Sequence, residues 1–243
     1  MRLLSTLQRP LKYTIFESNQ SKVMSTASPI KKILQRPDAA LLAQQLNQAL
    51  EEEARQREAF REWIDDNVKA EFINGEVVYH SPVRQKHLEA ARLLGGLLHA
   101  YCLVNRIGVV WTEKAMIGLT RNDYEPDLVF FRKEIADTFS KDQVIFPAPD
   151  FIVEIISPST AAKDRGVKKQ DYAAHGISEY WIIDPAKQQL EQYLLMEAEA
   201  EYFHPHIYAI GESVPCQVLE GLQMPVEAIF DEQANVEALK KML

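Results

Sequence analysis

The spacing of polar and apolar residues changes near Val68. Before that point, Pro37 and Asp38 open a segment rich in Ala, Leu, Gln and Glu. Its apolar residues fall on one helical face, at Leu42, Leu46, Ala49 and Leu50. Proline near the first helical position and Asp in the first turn are typical helix-start signals. We predict a helical extension over residues 38–66, whose charged half is a solvated surface or an oligomerisation arm.

Beyond Val68 the pattern predicts strands. Asn74 and Gly75 stand between two short apolar runs, and both residue types tolerate the positive φ angles of a type I′ hairpin turn. Residues 83–105 then carry apolar side chains at helical spacing and predict a long helix. Further strands are predicted at about 107–112, 115–120, 127–132 and 151–156.

The remaining chain continues this alternation. A helix is predicted over about 162–175, followed by strands near 179–183 and 190–195, edge strands to about 230 and a closing helix over 232–243. Helices interleaved with strands indicate an α/β or α+β domain with one mixed central sheet flanked by helices. We assign residues 67–231 to this domain and residues 232–243 to a C-terminal helix.

Composition excludes some classes of function. The chain has 243 residues, of which 47% are hydrophobic, and a formal net charge of -8. That acidic balance argues against sequence-independent coating of DNA. Cys102 and Cys216 lie far apart, which fits a reducing cytosol better than a disulfide framework, so a cytoplasmic location is expected. The most apolar stretch, residues 90–110, is interrupted by charged residues and predicts no membrane span.

The first 37 residues differ from the rest in charge. They contain several basic side chains and a single acid, Glu17, a composition that resembles a transit peptide. We prefer two simpler interpretations, a disordered tail or a translation start at Met24. Residues 1–37 are therefore kept apart from the predicted domain.

Three polar residues interrupt or border strands that are otherwise apolar. Asp127 begins one such strand, Glu154 lies inside another, and Lys168 follows in the next helix. A lone carboxylate in a buried strand is costly to desolvate unless it is paired or holds a metal. Two carboxylates from adjacent strands supply hard oxygen ligands for Mg²⁺. A nearby ammonium orients a water or stabilises charge on a phosphate.

Structural explanations remain open for the same residues. Asp127 suits the start of a strand by bonding to its own backbone. Glu154 has Arg165 as a candidate partner for a buried ion pair, and Lys168 has Asp164 for an exposed helical pair. Spacing alone does not establish that the acids and the lysine converge.

Longer motifs surround these residues. They are Glu71-Phe-Ile-Asn-Gly-Glu76, Ser81-Pro82 followed by His87, Glu125-Pro-Asp-Leu-Val-Phe130, Pro149-Asp-Phe-Ile-Val-Glu-Ile-Ile-Ser-Pro-Ser-Thr160, Lys163-Asp-Arg-Gly-Val-Lys168, Asp171-Tyr172 and Glu179-Tyr-Trp-Ile-Ile-Asp-Pro185. Over residues 65–200 the chain resembles the Uma family of restriction-endonuclease-like bacterial proteins, a branch of the PD-(D/E)XK nuclease superfamily. The resemblance implies a restriction-endonuclease-like fold.

The resemblance also implies a metal site. Asp127 and Glu154 match the two metal-binding acids, which hold Mg²⁺ or Mn²⁺ together with the backbone carbonyl of Ile155. The usual lysine stands two residues after the second acid, where this chain has Ile156. The resemblance therefore assigns the lysine's role to Lys168.

Further residues take their expected roles from the same resemblance. An additional acid near the site is matched by Glu76 in preference to Glu71. The alternative is that Glu76 is a hairpin residue that faces solvent. His87 matches a recurrent histidine on the long helix, which approaches the phosphate or is a hydrogen-bonded structural residue. Tyr172 and Trp181 are expected in the core rather than stacked on nucleic acid.

The implied function is endonucleolytic hydrolysis of DNA, with a Mg²⁺-bound water as nucleophile. A locally basic face would meet the DNA, formed by Lys163, Arg165, Lys168 and Lys169. Two alternatives compete. One is a non-catalytic nucleic-acid- or protein-binding module that retains the fold, which Ile156 and the acidic charge favour. The other is a hydrolase of RNA or a nucleotide. A homodimer is expected from the habit of the superfamily.

Overall fold

The computed structural model describes residues 29–65, 67–196 and 200–242. Its α-helices are Pro29–Leu34 (α1), Ala39–Trp63 (α2), Gln85–Asn105 (α3), Lys133–Ala136 (α4), Ala161–Lys163 (α5), Lys169–Ala174 (α6) and Glu232–Met242 (α7). Its strands are Ala70–Ile73 (β1), Glu76–Tyr79 (β2), Gly108–Thr112 (β3), Met116–Gly118 (β4), Asp123–Tyr124 (β5), Leu128–Arg132 (β6), Ile145–Phe146 (β7), Phe151–Ile155 (β8), Glu179–Asp184 (β9), Gln189–Leu194 (β10), His206–Ala209 (β11), Ser213–Pro215 (β12) and Gln223–Pro225 (β13). A π-helical turn spans Asp164–Lys168, and a 3₁₀ turn spans Val226–Ile229.

The chain divides into two compact units, residues 1–50 and 51–243. In the first unit, the described residues form α1 and the first part of α2, and the apolar side chains of Leu41, Leu46 and Leu50 are exposed. The second unit holds all the described strands. The predicted domain boundaries stay predictions, and residues 1–28, including the proposed start at Met24, lie outside the described residues.

The predicted hairpin is confirmed. Strands β1 and β2 are antiparallel, and Ile73 pairs with Glu76, so two residues form the loop. Asn74 and Gly75 have φ angles of 52° and 86°, in the left-handed region that the turn requires.

The strands form two mixed sheets and a two-stranded ribbon, which corrects the prediction of a single sheet. The six-stranded sheet has the order β11-β10-β9-β8-β6-β3, the five-stranded sheet has the order β2-β1-β5-β4-β7, and β12 pairs with β13. Each larger sheet contains one parallel pair, β8 with β9 and β4 with β7. The second sheet was missed because β5 and β7 are only two residues long and leave no alternating pattern. The mixed α/β class itself is confirmed.

Alternate residues of β8 enter two different apolar clusters. Val153 packs in a cluster with α3 and the C-terminal segment. Ile152 and Ile156 pack on the opposite face of the strand, in a cluster shared with the five-stranded sheet. Glu154 lies between them in sequence and, because side chains alternate along a strand, faces the same way. The strand therefore directs one carboxylate into the layer between the two larger sheets.

The helix predicted over 162–175 is interrupted. Gly166 has φ -108° and ψ -106°, which breaks the helical path inside the π-helical turn. Single π turns of this kind often accompany functional sites. Asp164 and Lys168, at the two ends of the turn, are both buried. The alternative of an exposed pair between these two residues is therefore wrong.

Helix α3 approaches the six-stranded sheet closely at one glycine. A Cβ added at Gly95 would lie 2.8 Å from Thr112 Cγ2 and 3.3 Å from Leu128 Cδ2. The neighbouring Gly96 is exposed, and an added Cβ there would meet nothing within 4 Å. The absence of a side chain at Gly95 thus sets how near α3 lies to β3 and β6. None of the helices in the described ranges is long and apolar enough to cross a membrane.

Two alanine substitutions in the same helix test this packing. Gly95→Ala is expected to destabilise the protein by about 1–2 kcal/mol, because the new methyl group overlaps Thr112. Gly96→Ala is expected to stabilise it by about 1 kcal/mol, since alanine favours an exposed helical position over glycine. Thermal denaturation measures both. Stabilisation by both substitutions would contradict the close approach.

Candidate active site

Asp127 directly precedes β6, and Glu154 lies near the end of the neighbouring strand β8. The antiparallel register pairs Leu128 with Val153, so extending it by one residue would place Asp127 opposite Glu154. The backbone N–H of Ile155 donates to Asp127 Oδ2 at 2.7 Å. The sheet therefore brings together the two acids that were predicted as metal ligands.

The ammonium of Lys168 lies among three carboxylates. Its Nζ is 2.7 Å from Glu71 Oε1, 2.9 Å from Glu154 Oε1 and 3.6 Å from Asp164 Oδ1. The side chain of Lys168 is 3% exposed. Tyr172 also donates its hydroxyl to Glu154 Oε1, at 2.9 Å. Lys168 thus fixes the position of Glu154, and carboxylates enclose its amine.

Glu71, rather than Glu76, is the hairpin acid at this site. Glu71 is buried in β1, where its Oε1 accepts hydrogen bonds from Lys168 and from the backbone N–H of Glu125. Glu76 is exposed at the start of β2, directly after the turn, and does not line the cavity at the other acids. The prediction ranked these two acids in the opposite order. An acid flanked by Ala70 and Phe72 in an apolar strand was the signal for Glu71.

Two histidines and a second lysine flank the carboxylates. His87 Nε2 and Lys69 Nζ are 3.2 Å and 3.7 Å from Asp127 Oδ1. His80 Nε2 is 3.3 Å from Glu71 Oε2. Of these three, only His87 was predicted. Lys69 and His80 were missed because each stands at a strand end, where a polar residue is unremarkable in a sequence.

The pKa values of the site depend on burial and on the ammonium of Lys168, which several carboxylates share. Burial raises the pKa of Glu71, but Lys168 and His80 outweigh it and hold that pKa at about 2. Burial raises the pKa of Glu154 well above its usual value, and Asp164, together with the other acids, raises it further against the opposing charge of Lys168. The pKa of Lys168 is raised well above its usual value, because the carboxylates outweigh its desolvation.

The pKa values of Asp127 and Asp164 shift in opposite directions. Burial raises the pKa of Asp127, but hydrogen bonding to His87, with Lys69 and the Ile155 N–H, lowers it overall. The pKa of Asp164 is raised by burial against the opposing charge of Lys168. The site thus contains four buried carboxyl groups, those of Glu71, Asp127, Glu154 and Asp164, and one buried ammonium, that of Lys168.

The acids open onto a cavity of about 530 Å³. Its charged lining consists of Lys69, Glu71, His80, Arg84, Lys86, His87, Asp127, Glu154, Lys163, Asp164, Arg165, Lys168 and Asp184. Arg84, Lys86 and Lys163 are exposed there and form no ion pair among the described residues. We call these three side chains the basic rim.

The basic rim differs from the face predicted for DNA. Only Lys163 belongs to both. Arg165 pairs with Glu191, so the suggested pair between Arg165 and Glu154 is wrong. Lys168 is buried, and Lys169 lies over the ring of Tyr193, 5.4 Å from its centre. Tyr172 and Trp181 are buried, in agreement with their expected core positions.

The donor set suits Mg²⁺ or Mn²⁺ as a partly hydrated ion. No group of three or more His, Cys, Asp or Glu side chains among the described residues is arranged as a metal cluster. Mg²⁺ does not need one, since it commonly binds one or two carboxylates and keeps waters and substrate phosphate as its other ligands. Asp127, Glu154 and Ile155 line the cavity, and two carboxylates with a backbone carbonyl are oxygen donors of the kind that such an ion accepts.

Comparison with known proteins supports the fold and the family. The protein is similar in structure to a chain described as a "putative nuclease belonging to DUF820" from Anabaena variabilis, with a TM-score of 0.61 and 18% sequence identity. The alignment covers 70% of this chain and 94% of the other. No curated protein matches. A family model described as "Uma2: Putative restriction endonuclease" matches residues 57–227. The resemblance seen in the sequence motifs is thus confirmed, and the chain belongs to the Uma2 family.

Proposed function

We propose that this protein is a divalent-metal-dependent endonuclease that hydrolyses phosphodiester bonds of DNA. The observation that carries the proposal is the pair Asp127 and Glu154, adjacent at one end of the six-stranded sheet and open to the cavity. Membership of a family described as restriction endonucleases supports a nuclease-type function. The basic rim provides charge of the sign that a phosphate backbone requires.

Asp127, Glu154 and the backbone carbonyl of Ile155 would hold the cation. When bound, Mg²⁺ or Mn²⁺ supplies Lewis-acid stabilisation of the phosphate and a water that is acidic enough to attack near neutral pH. The Ile155 N–H orients Asp127 by donating to its Oδ2. Strands β6 and β8 would thus fix the positions of the oxygen atoms that hold the cation.

Lys168 acts in this proposal as a positioning residue. Its amine contacts Glu154 and Glu71, and the enclosure by carboxylates keeps it from serving as an exposed phosphate ligand. Lys69 lies 3.7 Å from Asp127 and is more exposed, so it is the lysine better placed to meet a phosphate oxygen.

Substitution of either acid is expected to abolish cleavage. Asp127→Asn and Glu154→Gln keep the side-chain shape but remove the charge that binds Mg²⁺. Purified wild type and variants are incubated with plasmid, single-stranded DNA and RNA, with Mg²⁺ or Mn²⁺, and the products are separated by electrophoresis. Glu76→Gln is the matched control, because Glu76 is an exposed acid outside the cavity.

The outcomes separate the competing functions. Metal-dependent cleavage that Glu76→Gln retains and both site variants lose would support the nuclease. Cleavage of RNA alone would replace DNA as the substrate. If calorimetry detects no Mg²⁺ binding and no nucleic acid is cleaved, the non-catalytic module becomes the better explanation.

Replacement of Lys168 is expected to separate metal binding from catalysis. In Lys168→Met the carboxylates remain available to Mg²⁺, but Glu154 loses the contact that positions it, so cleavage should fall about 100-fold or more. Calorimetry measures Mg²⁺ affinity, kinetics measure cleavage, and thermal denaturation establishes that the variant is folded. Lys169→Met is the control, since Lys169 lies outside the cavity. Full activity of Lys168→Met would remove Lys168 from the mechanism.

The basic rim is expected to contribute to DNA affinity through charge alone. Replacing Lys86 or Lys163 with Gln should reduce the slope of log K against log salt by about 1 for each residue that contacts a phosphate. Fluorescence anisotropy with the inactive Asp127→Asn protein measures the slope. Lys141→Gln, an exposed lysine away from the cavity, is the control. An unchanged slope in both rim variants would place the DNA elsewhere.

Two further expectations from the sequence belong to this proposal, a homodimer and a cytoplasmic location. Sedimentation equilibrium tests the first, and cell fractionation tests the second. A monomer would show that each site acts without a second copy of the chain.

A further inference from the structure

His80 is a titratable residue at the cavity to which the proposed hydrolysis gives no role. It directly follows β2, and its backbone N–H donates to the carbonyl of Lys69 at 3.0 Å. Its ring lines the cavity beside Lys69 and Glu71, and its side chain is 20% exposed. His80 therefore stands on the wall of the site without being a candidate metal ligand.

The two ring nitrogens of His80 have different surroundings. Nε2 is buried, lies 3.3 Å from Glu71 Oε2 and makes no hydrogen bond to the described residues. Nδ1 makes no hydrogen bond to the described part of the chain. A carboxylate beside one ring nitrogen limits the orientations of an imidazole, while the other nitrogen stays free for proton transfer. In His80 the carboxylate of Glu71 lies beside Nε2, and Nδ1 is the nitrogen left for proton transfer.

His87 lacks a nitrogen that is free in the same way. Its Nε2 lies 3.2 Å from Asp127 Oδ1, and its Nδ1 is buried without a hydrogen-bond partner among the described residues. His87 thus orients a metal ligand, whereas His80 keeps one nitrogen for a reacting group.

Three ionisable side chains surround His80. Glu71 lies in β1, Lys69 directly precedes that strand, and Glu125 directly follows β5. The Glu125 carboxyl is buried, its Oε2 has no partner among the described residues, and burial raises its pKa. The carboxylate of Glu71 is therefore the charged group nearest to the ring, with its Oε2 3.3 Å from Nε2.

We propose that His80 is the general acid of the hydrolysis, which donates its Nδ1 proton to the leaving oxygen. This inference rests on the proposed nuclease function. Water attacks phosphorus and forms a new P–O bond, while the bond from phosphorus to the leaving oxygen breaks and its electron pair stays on that oxygen. The Nδ1 proton of the imidazolium neutralises the new alkoxide, and the water's proton passes to solvent. The imidazole is left neutral, with its remaining proton on Nε2, the nitrogen nearest to Glu71.

A sulfur substitution at the leaving atom tests the proposal. Thiols are far more acidic than alcohols, so a departing thiolate needs no proton donor. Cleavage of an oligonucleotide with one scissile linkage is compared with cleavage of the same oligonucleotide carrying sulfur as the bridging leaving atom. His80→Gln should cleave the oxygen substrate about 100-fold more slowly than wild type and the sulfur substrate within about threefold of it. His99→Gln, an exposed histidine of α3, is the control and should match wild type on both.

The pH profile gives a second readout. In wild type, kcat/KM for the oxygen substrate should fall as pH rises, because the imidazolium loses its proton. That descending limb should be absent for the sulfur substrate and for His80→Gln. A structural role for His80 would not remove the limb selectively.

The possible results distinguish this inference from the proposed function. Equal losses by folded His80→Gln on both substrates, or no loss on either, would overturn the general acid while leaving the nuclease intact. If wild type cleaves neither substrate with Mg²⁺ or Mn²⁺, the nuclease proposal fails and this inference fails with it. Retained cleavage of the sulfur substrate itself demonstrates that the variant is folded, and His80→Asn repeats the comparison if His80→Gln is unstable.

Discussion

The site depends on one buried ammonium shared by carboxylates from separate parts of the chain. Lys168 contacts Glu71 of β1, Glu154 of β8 and Asp164 at the other end of its own π-helical turn. Removing one partner from a buried ion pair leaves an uncompensated charge and commonly costs about 3–5 kcal/mol. The five-stranded sheet, the six-stranded sheet and the kinked helix are therefore tied together at this point, and the positions of the acids cannot change independently.

Lys168 approaches Glu154 from the side of the sheet that Ile156 also faces, and position 156 is where the sequence resemblance expects a lysine. Residues 154 and 156 face the same side of the sheet, because side chains alternate along the backbone. Lys168 reaches the Glu154 carboxylate on that same side from the following helix, at 2.9 Å. The kink at Gly166 accompanies this arrangement, with both ends of the turn buried. An amine can thus act on the same carboxylate from a different element, while Ile156 contributes to the apolar cluster.

The sequence was most informative where a polar residue contradicted its surroundings. Glu154 stood out because every neighbour in its strand is apolar, and the structure indeed buries it. Glu71 is also an acid in an apolar strand, but that strand has only four residues and ends at a turn. The exposed Glu76 on the other side of the turn was therefore ranked above it. The two-residue strands and the π-helical turn left no periodic signal. The contact of His80 with Glu71 depends on the hairpin register, and that of Lys168 with Glu71 depends on the tertiary fold. Composition encodes neither.

The formal charge of -8 seemed to oppose nucleic-acid binding, but it sums charges that act at different places. Several acids are buried around Lys168, where ion pairing and raised pKa values reduce their effect on the surface. Electrostatic interactions are screened over about 10 Å at 0.1 M salt, so a phosphate at the cavity responds mainly to nearby groups. Those groups include the exposed basic rim of Arg84, Lys86 and Lys163. The local arrangement of charge, rather than its total, therefore decides what the cavity can bind.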